Sequence, residues 1–263
     1  MKKKIAILGS TGSIGRSLVG ILSKNKKNFA VKFLSAEKNY KKLFNQAKML
    51  NVQNLIITNR KAYLLLLKLN KSKKIKVYNN FDCIKKIIPS KIDYCMCAIS
   101  GLAGLRPTYK MIKYSKTLAI ANKESIICGW NLIKKEIKKN GTKFIPVDSE
   151  HFSIWFGLHS IDNNKINTIY LTASGGPLID TPLKNFKNIK TSQALKHPNW
   201  KMGKKISIDS STMMNKVFEV IEAKNIFDIP YNKIKILVHQ KSYVHALIKF
   251  YNGLIKIIAH DTN

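Results

Sequence analysis

A short apolar run that passes directly into a glycine-rich turn constrains this chain most. Residues 4–17 read KIAILGSTGSIGRS, and Gly9, Gly12 and Gly15 stand between the apolar run and a segment with helical spacing. Glycines at such positions permit a tight turn and a close approach of the backbone to a ligand. The N-terminus of the following helix attracts a pyrophosphate. The segment therefore predicts a nucleotide-binding strand–helix unit at the start of a parallel sheet.

The helix predicted after this turn carries apolar residues at Ile14, Leu18, Ile21 and Leu22, as expected for one buried face. Through the first half of the chain, short apolar runs typical of buried strands alternate with lysine-rich helical segments. These runs occupy residues 4–8, 31–35, 54–58, 94–99, 117–121 and 143–147. Such alternation predicts a parallel sheet that is covered by helices.

The second half of the chain has a different pattern. INTIYLTAS, at residues 166–174, leads into a Gly-Gly-Pro turn. Further strand-like runs occupy residues 205–209, 234–250 and 254–259. We therefore predict an α/β fold class, in which an N-terminal Rossmann-like parallel-sheet domain, residues 1–147, is followed by a mixed α+β domain, residues 148–263.

The net charge bears on the choice of partners. The chain has 47 Lys and Arg against 14 Asp and Glu, a formal charge of +33, which ordinarily indicates a polyanionic partner. Arginine occupies only three positions, however, whereas nucleic-acid interfaces favour arginine and interleaved aromatic residues. Lys, Asn and Ile share A/T-rich codons, so a biased genome also explains the excess. We expect no nucleic-acid partner and no membrane partner.

The cysteines and the N-terminus indicate a cytoplasmic protein. Cys83, Cys95, Cys97 and Cys128 lack the paired spacing of a metal site or a disulfide framework, and we predict buried, reduced thiols. The apolar stretch after MKKK stops at Gly9, which is too early for a signal peptide. No apolar run approaches the roughly 20 residues that a membrane span needs.

The end of the second predicted strand bears on the choice of nicotinamide cofactor. Glu37 stands about 20 residues beyond the glycines, where an acidic residue binds the ribose hydroxyls of NAD. Lys38 and Asn39 follow at once and can hold the extra phosphate of NADP. The residues by themselves leave both cofactors open.

Two acidic residues stand close together in a chain that is poor in acids. In FIPVDSEHF, residues 144–152, Asp148 and Glu150 are two apart, so an extended strand would direct both side chains to the same side. Converging carboxylates repel each other unless a cation or a shared proton compensates them, and oxygen ligands suit Mg²⁺ or Mn²⁺. From this segment alone, a cation site and a solvated loop with two ordinary acids are both open.

Three later segments are rich in hydroxyl, amide and ammonium donors of the kinds that bind phosphate. They are SGGP at 174–177, HPNW at 197–200 and DSSTMMNKVFE at 209–219. If residues 212–223 form a helix, Asn215 and Glu219 share one face of it. Each residue taken singly has an ordinary surface or capping role as its alternative, but their joint occurrence indicates phosphate donors beside a third carboxylate.

Six motifs occur together in one order: GSTGSIG, ANKES, PVDSEH, SGGP, HPNW and MMNK with Glu219. Together they resemble the 1-deoxy-D-xylulose 5-phosphate reductoisomerase family, from residue 1 to about residue 258. The resemblance implies NADPH-dependent isomerisation and reduction of a small phosphorylated sugar, 1-deoxy-D-xylulose 5-phosphate, to 2-C-methyl-D-erythritol 4-phosphate in non-mevalonate isoprenoid biosynthesis. It further implies Mg²⁺ or Mn²⁺ as a cofactor, a catalytic second domain and a homodimer.

The same resemblance implies a set of site residues, motif by motif. Catalytic roles fall to Lys123, Glu150 and His197, and metal ligation to Asp148, Glu150 and Glu219. The implied cofactor contacts are Thr11, Gly12, Ser13, Ile14, Lys38, Asn39, Asn122, Glu124 and Gly203. The implied substrate contacts are Lys123, Ser149, Glu150, Ser174, His197, Ser210, Asn215, Lys216 and Glu219. The segment through His197 and Trp200 resembles the mobile lid of the family.

Two departures from the family pattern bear on function. Glu37 stands where the family usually has glycine before Lys-Asn, and its charge weakens the expected binding of NADP. The sequence given ends at IIAHDTN, where the family pattern continues into an all-helical C-terminal domain, and we expect that domain to be absent. A truncated, inactive product that still binds NADPH is therefore the alternative to an active reductoisomerase.

Overall fold

The computed structural model describes residues 1–159, 161–196 and 203–261, apart from the side chain of Asn164. The chain divides into two compact units, Met1–Ile145 and Pro146–Asn263. The division lies close to the boundary that the change of sequence pattern predicts. Among the described residues, no helix combines the length and the hydrophobicity that a membrane span requires.

The first unit is built on a seven-stranded sheet with the order β4-β3-β2-β1-β5-β6-β7. Its strands are β1 (Lys3–Leu8), β2 (Phe29–Ala36), β3 (Asn54–Ile57), β4 (Lys76–Tyr78), β5 (Ile92–Cys97), β6 (Ser115–Ile120) and β7 (Lys143–Pro146). Its helices are α1 (Ser13–Lys24), α2 (Tyr40–Leu50), α3 (Arg60–Leu69), α4 (Ile84–Ile87), α5 (Leu105–Ile112) and α6 (Lys123–Asn140). Strand β1 pairs in parallel with both β2 and β5.

The central strands of this sheet are buried because their apolar side chains face helices. Ala6, Ile7 and Leu8 of β1 are fully buried, as are Cys95 and Cys97 of β5. Continuous apolar runs of this kind are typical of parallel strands that are covered on both faces. The predicted Rossmann-like parallel sheet is therefore confirmed.

The second unit contains a smaller mixed sheet with the order β11-β10-β8-β9. Its strands are β8 (Ile166–Ala173), β9 (Ile234–Val238), β10 (Val244–Phe250) and β11 (Ile255–Ala259), and its helices are α7 (Ser149–Gly157), α8 (Thr191–Ala194), α9 (Lys204–Ser211) and α10 (Met214–Phe227). Strand β10 is antiparallel to β8 and β11, whereas β9 is parallel to β8. This mixed sheet confirms the predicted α+β character of the second half.

One core joins the two longest helices of the second unit, α7 and α10, to its sheet. Ile154 of α7, Ala223 of α10 and Leu171 of β8 are fully buried in the same cluster. Burial of apolar area stabilises such packing by roughly 25 cal/mol per Å². The core thus fixes the N-terminus of α7 and the first turns of α10, which carry Asp148, Glu150 and Glu219.

One predicted strand is wrong, and one short strand was not predicted. The strand predicted at 205–209 is wrong: these residues belong to helix α9, which buries the small polar residues Ser207 and Ser211, one turn apart. The alternation of Ile206 and Ile208 with polar residues therefore does not report the buried face. Strand β4 was not predicted, because three residues are too few to show a period.

The buried face of helix α1 also differs from the prediction. Gly15, Val19 and Leu22 are buried, whereas Ile14 and Ile21 are exposed. A Cβ atom on Gly15 would lie 2.3 Å from the carbonyl oxygen of Gly9. The helix packs against the preceding turn at this glycine, and the close approach makes the Gly15 side, not the Ile14 side, the inner face.

The prediction of buried thiols holds for three of the four cysteines. Cys83, Cys95 and Cys97 are buried free thiols, but Cys128 is exposed on helix α6. Burial raises the pKa of Cys83 to about 11, so its thiol stays protonated at neutral pH. Cys128 corrects the prediction because it lies on the outer side of an amphipathic helix.

Candidate active site

The glycine-rich turn of the first unit presents the N-terminus of helix α1. Gly9 adopts φ +79°, a conformation that favours glycine, and Gly12 is the N-cap residue of α1. Within the described part of the chain, no side chain caps this helix, and Gly12, Ser13 and Ile14 are exposed beside the half-buried Thr11. Uncapped N–H groups at a helix N-terminus suit an anion such as a pyrophosphate.

Lys38 and Asn39 follow strand β2 on the same edge of the sheet. The Lys38 ammonium lies 3.0 Å from the Glu37 carboxylate, and both side chains are largely exposed. Asn39 Oδ1 accepts a hydrogen bond from the backbone N–H of Lys42 and so caps helix α2. Asn39 therefore has a local structural role in addition to its predicted cofactor contact, and Glu37 competes with any phosphate for the Lys38 ammonium.

Asn122 organises the turn between β6 and α6. Its side chain is buried, and its Oδ1 accepts hydrogen bonds from the N–H and the hydroxyl of Ser125. Its Nδ2 donates to the carbonyls of Ile99 and Gly101 and to the carboxylate of Glu124. The predicted cofactor residues Asn122 and Glu124 are thus held together, and the Asn122 side chain fastens the β6 turn to the β5 turn.

Lys123 follows Asn122 as the first residue of helix α6. Its side chain is buried, which is uncommon for lysine. The turns after β1, β2, β5 and β6 all lie at the carboxyl ends of neighbouring parallel strands. In doubly wound sheets this edge is where nucleotides bind.

In the second unit, three predicted metal ligands come together. One carboxylate oxygen from each of Asp148, Glu150 and Glu219 lies within 4.8 Å of the others. Asp148 is the N-cap residue of α7, Glu150 lies in its first turn, and Glu219 comes from α10 and is buried. Three converging hard-oxygen donors fit a site for Mg²⁺ or Mn²⁺.

Asp148 and Glu150 converge through a different local structure from the predicted strand. The two residues do not lie on an extended strand, because β7 ends at Pro146 and helix α7 begins at Ser149. Their carboxylates meet because the chain turns into a helix between them. Acidic residues at a helix N-terminus are also favoured by the positive end of the helix dipole.

Lys216 places a positive charge among these carboxylates. Its side chain is 6% exposed, and its Nζ lies 2.7 Å from Glu150 Oε1 and also contacts Glu219 Oε2 and the carbonyl of Thr172. Burial by itself lowers the pKa of Lys216, but the charges of Glu150 and Glu219 outweigh it, so the pKa lies above its usual value. The ammonium supplies positive charge where a metal ion would supply it, which supports a cation-binding role for the carboxylates.

Hydrogen bonds orient the remaining oxygens of this cluster. Ser149 Oγ donates to Glu150 Oε2 at 2.6 Å, and Asn215 Nδ2 donates to Glu219 Oε1. The Asn215–Glu219 contact is the one that helical spacing predicts. Ser149 and Asn215, both predicted substrate contacts, therefore lie directly beside the candidate metal ligands.

Ser174 and Ser210, two further predicted substrate contacts, lie near each other because Gly176 packs against Ser210. Gly176 has φ +71°, and a Cβ atom there would lie 2.4 Å from the carbonyl oxygen of Ser210. Ser174 Oγ accepts a hydrogen bond from the N–H of Gly176. The SGGP turn thus packs on helix α9, which brings the Ser174 turn next to Ser210.

Three predicted residues of the lid and its end remain. His197 and Trp200 lie outside the described residues. Gly203 is the exposed N-cap residue of α9.

Sequence reasoning missed two buried residues beneath the carboxylates. The Nδ1 atom of His151 lies 3.3 Å from Asp148 Oδ1 and 3.9 Å from Glu222 Oε2, and its Nε2 lies 2.9 Å from the carbonyl oxygen of Glu219. His151 therefore connects the segments that carry Asp148 and Glu219. Two features of the sequence could have indicated these residues. His151 lies in PVDSEH, and Glu222 lies one helical turn after Glu219.

The fold and the site together define an α/β protein with a glycine-rich turn that suits a nucleotide in one unit and a carboxylate cluster that suits a divalent cation in the other. Family comparison agrees with this class. The family model for 1-deoxy-D-xylulose 5-phosphate reductoisomerase matches residues 5–129, and the model for the C-terminal domain of that enzyme matches residues 144–227.

Individual relatives give the same result. The chain is 60% identical to the 1-deoxy-D-xylulose 5-phosphate reductoisomerase of Pelagibacter ubique over 99% of its length and 68% of the relative. It is 41% identical to the enzyme of Wolbachia pipientis subsp. Culex pipiens, over 99% of this chain and 67% of the relative. The chain therefore spans about two thirds of the length of these relatives.

Solved structures match as well. The reductoisomerase of Zymomonas mobilis in complex with NADPH superposes with a TM-score of 0.88 at 33% identity, covering 100% of this chain and 68% of that one. A reductoisomerase in complex with NADPH, fosmidomycin and magnesium gives a TM-score of 0.90 at 32% identity, covering 98% and 66%. This chain belongs to the 1-deoxy-D-xylulose 5-phosphate reductoisomerase family. The matches favour an active reductoisomerase over a truncated, inactive product.

Proposed function

We propose that this chain catalyses the NADPH-dependent isomerisation and reduction of 1-deoxy-D-xylulose 5-phosphate to 2-C-methyl-D-erythritol 4-phosphate, a step of isoprenoid biosynthesis. The observation that carries the proposal is the carboxylate cluster of Asp148, Glu150 and Glu219 with Lys216. The cluster occurs in an acid-poor chain of this family. Its residues lie in PVDSEH and in MMNK with Glu219, two of the motifs that carry the resemblance to the family.

Two cofactors belong to the proposal. Relatives of this chain have been solved with NADPH and with magnesium. When bound, NADPH supplies a hydride, and Mg²⁺ or Mn²⁺ acts as a Lewis acid on substrate oxygens. Thr11, Gly12, Ser13 and Ile14 would hold the pyrophosphate of NADPH at the N-terminus of α1. Asp148, Glu150 and Glu219 would hold the metal ion.

The remaining proposed cofactor contacts would surround the nucleotide. We assign Lys38 and Asn39 to the adenosine end, where the Lys38 ammonium can pair with the 2′-phosphate. Asn122, Glu124 and Gly203 complete the proposed set. The fastening of the β5 and β6 turns by Asn122 supports this assignment, because a fixed turn presents its backbone groups in one orientation.

Binding of the substrate falls to polar residues of the second unit and to Lys123. Ser149, Asn215 and Lys216 lie beside the carboxylates, so we assign them to the substrate oxygens and phosphate. Ser174, Ser210 and His197 extend this set. The packing of the SGGP turn on α9 supports the pairing of Ser174 with Ser210.

The proposed catalytic roles follow from the charges of the side chains: a carboxylate accepts a proton, and an ammonium stabilises negative charge. Rearrangement of the carbon skeleton requires that a substrate hydroxyl lose a proton and that the proton be returned. We assign this proton to the Glu150 carboxylate, which Ser149 orients. Buried cations stabilise developing negative charge strongly, and we assign this role to the Lys123 ammonium. His197 is the third proposed catalytic residue, and its segment is proposed to cover the site during reaction.

Turnover tests the proposal directly. Loss of NADPH absorbance should require both 1-deoxy-D-xylulose 5-phosphate and Mn²⁺ or Mg²⁺. Glu150→Gln should lower kcat by roughly 10²–10⁴-fold, as expected for loss of a group that transfers a proton. The matched control is Glu136→Gln on α6, whose carboxylate contacts Asn140 and Tyr109 at the surface, and which should keep wild-type kcat. NADPH binding without turnover would instead favour the inactive product.

Cofactor choice gives a second test, because Glu37 and Lys38 act in opposite directions. Lys38→Ala should weaken NADPH by about tenfold more than it weakens NADH, since only NADPH carries the phosphate that Lys38 pairs with. Glu37→Gly should tighten NADPH by no more than roughly tenfold, because it releases an exposed ion pair. Fluorescence titration at fixed ionic strength gives each dissociation constant. The exposed neighbour Lys41→Ala is the control, and a wild-type preference for NADH would contradict the assignment.

A homodimer also forms part of the proposal. Apolar side chains of the two edge strands of the second sheet are exposed, among them Ile236 and Val238 of β9 and Ile255 and Ile257 of β11. Exposed apolar residues on sheet edges are common at interfaces between subunits. Light scattering after size-exclusion chromatography would distinguish a dimer from a monomer.

A further inference from the structure

A buried polar side chain lies directly beneath the glycine-rich turn of the first unit. Gln46, on helix α2, is 5% exposed and faces the turn between β1 and α1. Its Nε2 donates to the carbonyl of Ser10 at 2.9 Å, and its Oε1 accepts from the hydroxyl of Ser10 at 2.8 Å. Both ends of the amide therefore bind one residue of the turn.

Strand β2 also binds this turn. Ser35 Oγ accepts a hydrogen bond from the N–H of Gly9 at 3.0 Å, and the Ser35 carbonyl accepts one from the N–H of Ser10 at 2.8 Å. Ser10 and Ser35 are both almost fully buried. Ser10, Ser35 and Gln46 form one cluster, called here the turn clamp, which joins β1, β2 and α2 at Gly9 and Ser10.

The turn clamp pairs buried backbone groups, because the Gly9 N–H and the Ser10 carbonyl bind the side chains of Ser35 and Gln46. Burial of hydroxyl and amide groups is costly, and their hydrogen bonds return little net free energy compared with apolar side chains of the same shape. A fully paired buried network does, however, select one conformation of the groups that it binds. The conformation selected here is that of Gly9 and Ser10, immediately before the uncapped N-terminus of α1.

We propose that Gln46 is a positioning residue for the nicotinamide cofactor and that it acts through Ser10. The turn clamp holds Gly9 and Ser10 in place, so the N–H groups at the start of α1 are already oriented when the pyrophosphate binds. A preoriented turn loses less conformational entropy on binding, which raises affinity without any contact between Gln46 and the ligand. This inference rests on the proposed use of NADPH.

The test compares two ligands that differ at the turn. NADPH carries a pyrophosphate, whereas 2′-AMP carries only the adenosine end with its 2′-phosphate. Gln46→Leu keeps the volume of the side chain and removes both hydrogen bonds to Ser10. The variant should bind NADPH about tenfold more weakly, a loss of roughly 1.4 kcal/mol, and should bind 2′-AMP within about twofold of the wild type. Fluorescence titration and competition give both dissociation constants.

A matched control removes a similar buried network elsewhere in the same unit. The hydroxyl of Thr142 donates to the carbonyls of Ile112 and Ser115 at 2.8 and 3.0 Å, and Thr142 is 5% exposed. Thr142→Val should lower stability to a similar extent while leaving both affinities unchanged. Ser35→Ala removes only the bond to the Gly9 N–H, so it should weaken NADPH about threefold, and it carries the test should Gln46→Leu fail to fold.

The possible outcomes separate this inference from the proposed function. A wild-type chain that does not bind NADPH overturns both. If the wild type binds NADPH and Gln46→Leu binds it as tightly as Thr142→Val does, only the positioning role is overturned. Ser35→Ala takes the place of Gln46→Leu in this comparison if Gln46→Leu does not fold. Equal weakening of NADPH and 2′-AMP would show a general disturbance of the unit and would also overturn it. Selective loss of NADPH affinity supports the inference.

Discussion

Glu219→Gln is expected to abolish turnover and to weaken the binding of Mn²⁺ by about 100-fold. Glu219 is buried, and its carboxylate contacts Asn215 and Lys216 while lying within 4.8 Å of the other two acidic ligand atoms. Glutamine preserves the shape of the side chain but removes the negative charge that a hard divalent cation requires. Loss of a direct ligand should cost at least as much as the 10–100-fold typical of groups that only support a ligand.

Calorimetric titration with Mn²⁺ measures this effect without any need for turnover. Asp228→Asn at the end of the same helix is the matched control, because Asp228 is exposed and its carboxylate lies 3.5 Å from the Lys224 ammonium. The control variant should bind Mn²⁺ like the wild type. Unchanged Mn²⁺ affinity in Glu219→Gln would contradict the assignment of Glu219 as a ligand.

Local sequence signals were sufficient to predict the parallel sheet of the first unit, apart from the short strand β4. The glycine turn follows a buried strand, and the apolar runs recur at strand length, so the parallel sheet follows from patterns that lie within a few residues of one another. The face of α1 was not predictable in the same way. It depends on how closely Gly15 packs against Gly9, and that distance follows from the three-dimensional turn and not from the apolar period.

The carboxylate cluster shows a different limit. Spacing on a strand predicted that Asp148 and Glu150 would converge, and the motifs added Glu219, but the two acids meet at the start of a helix. His151 and Glu222 escaped prediction because their contacts are not local: the His151 ring reaches the carbonyl of Glu219, 68 residues away. Gln46 escaped for the same reason, since its partner Ser10 is 36 residues away.

The distribution of charge supports a specialised use of the acidic residues. The chain carries 14 acidic residues against 47 basic ones, yet four of the acids, Asp148, Glu150, Glu219 and Glu222, surround one small volume of the second unit. Drift toward lysine in an A/T-rich genome would remove acids wherever they are dispensable. Their clustering around His151 and Lys216 therefore indicates that the charge at this place has a function.

Lys216→Met is expected to destabilise the metal-free protein strongly and to make its stability depend on a divalent cation. The Lys216 ammonium is buried and compensates Glu150 and Glu219. Without it, Glu150 and Glu219 lose the ammonium that compensates them while their carboxylates stay close together. Removal of one partner from a buried ion pair costs about 3–5 kcal/mol, which corresponds to a fall of at least about 10 °C in the unfolding midpoint of the second unit.

Added Mn²⁺ should recover most of this loss, because the ion supplies the missing positive charge to the same carboxylates and binds the folded state only. The midpoint should therefore rise more with Mn²⁺ in Lys216→Met than in the wild type, where the ion must compete with the ammonium. The pKa of Lys216 is higher in the folded than in the unfolded protein. The ammonium therefore contributes fully to stability below its unfolded pKa of about 10.4, and this contribution is lost only as pH rises through the folded pKa. Measurement at neutral pH is suitable for this reason.

Thermal unfolding followed by circular dichroism, with and without Mn²⁺, measures both effects. Lys224→Met provides the matched control two turns along the same helix, where the ammonium is partly exposed and lies 3.5 Å from Asp228. Its effect should stay within about 0.5 kcal/mol, as is usual at surfaces. If Lys216→Met unfolds like Lys224→Met, or if Mn²⁺ raises the midpoint of Lys216→Met no more than that of the wild type, Lys216 does not share the carboxylates with a metal ion. Turnover of the metal-loaded variant should still be lost, because the ion replaces the charge of Lys216 toward the carboxylates but not its proposed contact with the substrate.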